Sequence, residues 1–164
     1  MSIAMLPTAD EPTIYAHLLR EALSAIAETI EELPSAELDV HLADGVSSPA
    51  QLAAHVAGAI RAYVLGVGCG LDVERDRPEE FATADMPSEE LANALRALAD
   101  DIDSTMNKID PVIFDELTVP EQSLFGAAPT REVSRRSAIV SAIRHIGAHL
   151  GHLHLSRDML ADRR

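Results

Sequence analysis

The chain has 164 residues, enough for one domain around a single core and too few for several. Apolar residues make up 47 %, aromatics only 3 %, and tryptophan is absent; Ala, Leu, Ile and Glu dominate, a composition that favours helices. The formal net charge of −14 would repel phosphate backbones and anionic lipid, so neither nucleic acid nor a membrane is an expected partner.

The single cysteine, Cys69, cannot staple the fold and rules out CxxC metal or redox sites. The start, MSIAMLPTADEP, has no basic region and no long apolar core, so it does not read as a signal peptide. The longest apolar stretch, Val56 to Leu71, is broken by Arg61 and several glycines and does not read as a membrane span. A cytoplasmic protein is expected.

Four helical patterns follow in chain order. The first covers about 12–33, with Leu19, Leu23, Ile26, Ile30 and Leu33 on one stripe, Pro12 in the first turn and Pro34 as the stop. The second covers about 49–65. Ser48 is its N-cap, Leu52, Val56, Ile60 and Tyr63 are its stripe, and the cluster GVGCG ends it. The third covers about 88–109, with Leu91, Leu95, Leu98 and Ile102 inward and Asp100, Asp101 and Asp103 as a solvated acidic face. The fourth, about 130–160, carries Ile139, Ile143, Ile146, Leu150 and Leu153. The expected fold is all-α, a single four-helix bundle. Its two long inter-helix loops, Gly66 to Pro87 and Asp110 to Pro129, exceed what a compact bundle needs and should pack over a site. The segment VIFDELTV, Val112 to Val119, alternates like a strand.

Seven histidines occur, and four crowd into RHIGAHLGHLHL: His145, His149, His152 and His154. Residues four apart lie one turn above each other on a helix, so His145 and His149 can aim two rings at one point. His152 continues that face by a further turn, whereas His154 points away. Ala138, Ser141, Ala142 and Ser156 extend the same face and are small enough for a neighbouring helix to approach. A third ligand is needed, and His55 is the only histidine in the second helix, sharing a face with Leu52, Ala59 and Ala62. Three neutral nitrogens would leave coordination positions open, the pattern of catalytic zinc sites. From spacing alone, metal ligation and ordinary core histidines both remain open. His17 and His41 carry no functional reading. HExxH is absent, as is any Glu-x-x-His pair, which disfavours zinc-protease and ferritin-like di-iron sites. No spacing argues for a Cys69–His dyad.

The chain resembles the DinB/YfiT-like metalloenzyme superfamily over nearly its whole length. SSPAQLAAHV is similar to that family's entry into the second helix, with its histidine at His55. ERDRPEEFA, Glu74 to Ala82, is similar to an Arg-Asp-x-x-x-Glu-Phe stretch of some members. The last helix resembles the His-x-x-x-His-x-Gly-Gln signature through His145, His149 and Gly151; here His152 replaces the Gln, and Leu150 stands where many members carry Arg.

The resemblance implies a four-helix bundle holding a divalent metal (Zn, Ni or Fe) through His55, His145 and His149, often as a homodimer. It also implies an enzyme acting on a small molecule with a low-molecular-weight thiol such as bacillithiol or mycothiol, as an S-transferase or isomerase. His152 becomes the candidate general base or an extra ligand. The same open site could instead activate water, as a hydrolase. A non-catalytic dimeric stress or interaction protein with a structural or vestigial metal is the remaining alternative.

Overall fold

The computed structural model describes residues 10–125 and 129–163. Residues 1–9, most of the MSIAMLPTADEP start that does not read as a signal peptide, lie outside the described part, as do 126–128 in the second long loop.

Helix α1 spans Glu11–Glu32. Asp10 caps it by accepting from the Thr13 amide, and Pro12 sits in the first turn, where its missing N–H costs nothing. Its inner stripe, Leu19, Leu23, Ile26 and Ile30, is fully buried. Helix α2 spans Pro49–Ile60 and opens with a reciprocal cap. The Ser48 hydroxyl accepts from the Gln51 amide, and the Gln51 side chain accepts from the Ser48 amide.

The glycine cluster does not end α2 near Leu65 as expected. The helix runs on through Arg61–Gly68 as a wider π-helical stretch. A Cβ on Gly68 would lie 2.5 Å from Ile139 Cγ1 on the last helix, so the glycine permits close packing there. The break comes at Gly70, whose φ of +75° favours glycine.

The first long loop contains a short helix, α3 (Arg77–Ala82), capped by Asp76. Helix α4 spans Ser88–Met106, three residues shorter than its pattern. The strand-like segment divides. Pro111–Asp115 is a 3-10 turn capped by Asp110, and only Leu117–Thr118 is a strand, β1. A four-residue helix, α5 (Gln122–Phe125), follows. Strand β2 (Val133–Ser134) pairs antiparallel with β1, Leu117 opposite Ser134 and Thr118 opposite Val133. That pairing holds the chain extended, so α6 begins at Arg135 and not near Thr130, and runs to Ala161. Ser134 serves as last strand residue and as N-cap of α6.

Helices α1, α2, α4 and α6 form a four-helix bundle, all-α apart from the two-residue ladder. Its core joins Leu23, Ile26, Val56, Ile60, Leu95, Ile102, Ile139 and Ile146, with Phe114 plugging one side. The acidic residues of α4 are not simply solvated. Asp100 and Asp103 both meet Arg20 of α1 at 2.6 Å, and Asp101 meets Arg61 at 3.4 Å. By length and composition the helix Pro49–Gly68 is apolar enough to cross a membrane. Its apolar residues are core residues here, packed among α1, α4 and α6.

Candidate metal centre

The capped start of α2 fixes which way its side chains point, and His55 faces inward, 7 % exposed. On α6 the four-residue spacing stacks His145 and His149 as expected, with ring centroids 4.4 Å apart. The α2–α6 packing then brings His55 to 5.3 Å from the His145 ring and 5.1 Å from the His149 ring. One ring nitrogen from each of the three lies within 4.8 Å of the others, a group able to hold a metal ion.

The polar atoms support a ligand at that point. Nε2 of His145 is buried with no hydrogen-bond partner among the described residues. An unpartnered buried nitrogen costs roughly 1–3 kcal/mol, which a metal bond would offset. Burial lowers the pKa of His145, and the charges of His55, Arg75, Arg144 and Arg77 lower it further. Burial, with His145, His55 and His152 nearby, takes His149 down to about 4. Both rings are therefore neutral at pH 7, the form that donates a lone pair to a metal.

His55 is oriented from behind. Its Nδ1 lies 2.9 Å from Glu80 Oε2. Burial pushes the Glu80 carboxyl up, but hydrogen bonds from Arg75 and His55 outweigh it and leave the pKa lowered. Glu80 is thus a carboxylate and can only accept, so Nδ1 carries the proton and Nε2 keeps its lone pair for the site. Arg75 grips the same carboxylate in a fork, Nε to Oε1 at 2.7 Å and Nη2 to Oε2 at 2.9 Å. Its Nη1 donates to the Leu124 carbonyl at 2.7 Å. All three side chains are at least nine-tenths buried. Gly58, one turn after His55, makes room: a Cβ there would lie 2.0 Å from Glu80 Oε1.

Helix α3 closes the outer side. Phe81 stacks on the His55 ring at 5.0 Å, and the Arg77 guanidinium lies 5.5 Å from the Phe81 ring. The Gln51 side chain both completes the α2 cap and donates to the Phe81 carbonyl at 2.8 Å.

The DinB superfamily model matches residues 18–153. The chain belongs to the DinB superfamily. A DinB-like protein from Bacillus cereus ATCC 10987 superposes with a TM-score of 0.70 at 14 % identity, covering 90 % of this chain and 91 % of that one. YfiT from Bacillus subtilis, described as a probable metal-dependent hydrolase with an unusual four-helix bundle topology, gives 0.70 at 13 % identity, covering 98 % and 94 %. A conserved protein from Enterococcus faecalis gives 0.67 at 19 % identity, covering 92 % and 96 %. No curated protein matches the chain.

Within this DinB bundle, the other sequence candidates separate. His152 is half-buried and close enough to depress the His149 pKa, but it is not part of the three-nitrogen group. Ala138, Ala142 and Ser156 face the interior beside the histidines, whereas Ser141 is exposed. Gly151, the signature glycine, would meet nothing within 4 Å if it carried a Cβ. Cys69 is buried in the core, and burial raises its thiol pKa to about 11, against a small opposing effect of Arg135. It packs as an inert apolar residue.

Sequence reasoning quoted Glu80 and Arg75 only as part of a family-like stretch, and gave no role to Gly58. A buried Arg-x-x-x-x-Glu pair leaves no periodic signal, because a loop and a short helix bring it to His55.

Proposed function

We propose that this DinB-superfamily protein binds one divalent metal ion through His55, His145 and His149. It uses that ion to activate a low-molecular-weight thiol for attack on a small electrophile. The orphaned, buried Nε2 of His145 between two other imidazoles carries the reading. Zn, Ni and Fe all suit an imidazole set. When bound, the metal would hold the thiol sulfur on an open position and favour its thiolate form.

The protein's own residues prepare the site. Glu80 fixes the His55 tautomer and Arg75 fixes Glu80. Phe81 and the short α3 shield the ring from water. His152, one turn beyond His149, is the candidate acceptor of the thiol proton. The thiol comes from outside, since Cys69 is buried and protonated. A homodimer fits an exposed stripe on α6 formed by Val140, Gly147, Gly151 and Leu155.

A second reading puts water in place of the thiol, making the protein a hydrolase; the description of YfiT favours it. The test starts with metal content by mass spectrometry on untagged protein, wild type against His149→Ala. About one equivalent in the wild type and loss in the variant are expected. Metal in neither, after incubation with zinc and nickel, would refute the site and leave a non-catalytic bundle. With the site loaded, consumption of a model electrophile only when thiol is added supports the thiol reading. Ester or amide hydrolysis without thiol supports the hydrolase.

A further inference from the structure

A cavity of about 490 Å³ adjoins the histidine group, within the range of small-molecule sites. One wall is α6, through Ser137, Ser141, Arg144 and His145; Tyr63 of the π-helical stretch and Arg131, just before β2, complete it. The His145 ring is shared between this cavity and the histidine group.

The charge of the lining runs against that of the chain. The sequence has 27 acidic and 13 basic residues, yet two guanidiniums and no carboxylate line this cavity. Two further cavities among the described residues carry more acidic than basic side chains. One of 230 Å³ sets Asp72 and Glu121 against Arg135, and one of 260 Å³ sets Glu74, Asp76, Glu79 and Glu80 against Arg75, and both of these arginines are already paired with a carboxylate.

Elsewhere most arginines are bound to carboxylates: Arg20, Arg61, Arg75, Arg96, Arg135, Arg136 and Arg157 each pair with at least one. Arg131 and Arg144 form no ion pair among the described residues. In a chain this acidic, two unpaired guanidiniums beside one cavity leave a local positive field with hydroxyls for further hydrogen bonds. Such a field captures oxyanions, and guanidiniums match carboxylate and phosphate geometry.

We infer that this cavity binds a small oxyanion, a carboxylate- or phosphate-bearing molecule held by Arg131 and Arg144, with its far end against His145. As a substrate site it rests on the metal-dependent function proposed above; as an anion site it does not need the metal. The Ser141 hydroxyl adds a hydrogen bond, and the cavity size limits the ligand to a small molecule.

The experiment is calorimetric titration of succinate and of inorganic phosphate at low salt, into metal-free and zinc-loaded full-length protein. Wild type is compared with the double variant Arg131→Gln/Arg144→Gln, and with Arg61→Gln, a surface arginine outside the cavity. Binding of at least one anion to metal-free wild type is expected, weakened by salt and lost at least tenfold in the double variant. Arg61→Gln should bind as wild type. The preferred anion identifies the oxyanion group. Equal binding in the double variant, or no binding of either anion to wild type, overturns the inference; an unchanged melting temperature shows that the double variant is folded. Anion binding without zinc uptake would refute the metal reading alone. Zinc uptake without anion binding would refute this one alone.

Discussion

Replacing Gly58 by alanine tests the support behind His55. In an ordinary helix interior the change stabilises by about 0.5–1 kcal/mol, because glycine is the poorer helix former. Here the new methyl would stand 2.0 Å from Glu80 Oε1 and 2.7 Å from its Cδ. Glu80 cannot simply swing aside, since Arg75 holds both its oxygens and the Leu124 carbonyl holds Arg75. Retreat of the carboxylate weakens three charge-assisted hydrogen bonds, each contributing roughly 1.5–3 kcal/mol. Losing one outright outweighs the propensity gain, so Gly58→Ala is expected to destabilise by about 1–2 kcal/mol. For a chain of this size that lowers the melting temperature by roughly 2–8 °C. Zinc affinity should fall about 10–100-fold, the usual loss when a partner behind a metal ligand is disturbed. Thermal melts of metal-free protein and competition titration with a zinc indicator read the two effects separately. A melting temperature at or above wild type, with unchanged zinc affinity, would refute the positioning role of Glu80.

Glu80→Gln removes the charge and keeps the shape. Arg75 is left buried without its anion, so a loss of about 3 kcal/mol in urea melts is expected, with zinc affinity down about 10–100-fold. Metal-free protein should lose stability as the pH falls from about 6.5 towards 4. The depressed pKa of His149 means the unfolded chain takes up its proton first, so this contribution is complete above the unfolded pKa and lost below it; denaturant melts at pH 7.5, 5.5 and 4.5 check the direction. Cys69 should resist iodoacetamide at pH 8.5 in the native protein and react promptly in urea; rapid native labelling would contradict its burial and raised pKa.

Where a side chain's role depends on its own helix, the sequence showed it. The apolar stripes of α1, α2, α4 and α6 recur at helical spacing, and the Ser48 and Pro12 starts obey local capping rules. His145 and His149 are visible for the same reason, being one turn apart on one helix. His55 needed a further step, that the only histidine of α2 shares a face with small residues. The α2–α6 packing places the His55 ring 5.3 Å from that of His145 and 5.1 Å from that of His149.

What escaped depends on contacts between elements. The late start of α6 follows from a two-residue ladder, and two residues carry no periodicity. GVGCG looked like a stop because glycine usually breaks helices. Against the neighbouring Ile139, Gly68 instead supplies the only side chain small enough for the approach, and the helix continues. The same physics hid Gly58. Its meaning lies in Glu80, 22 positions on, and Glu80 reaches it only once α3 has folded over the end of α2. A glycine inside a helix whose removal is expected to destabilise the protein marks a place where another side chain must pass close to the backbone. Here that side chain sets the proton on a candidate metal ligand.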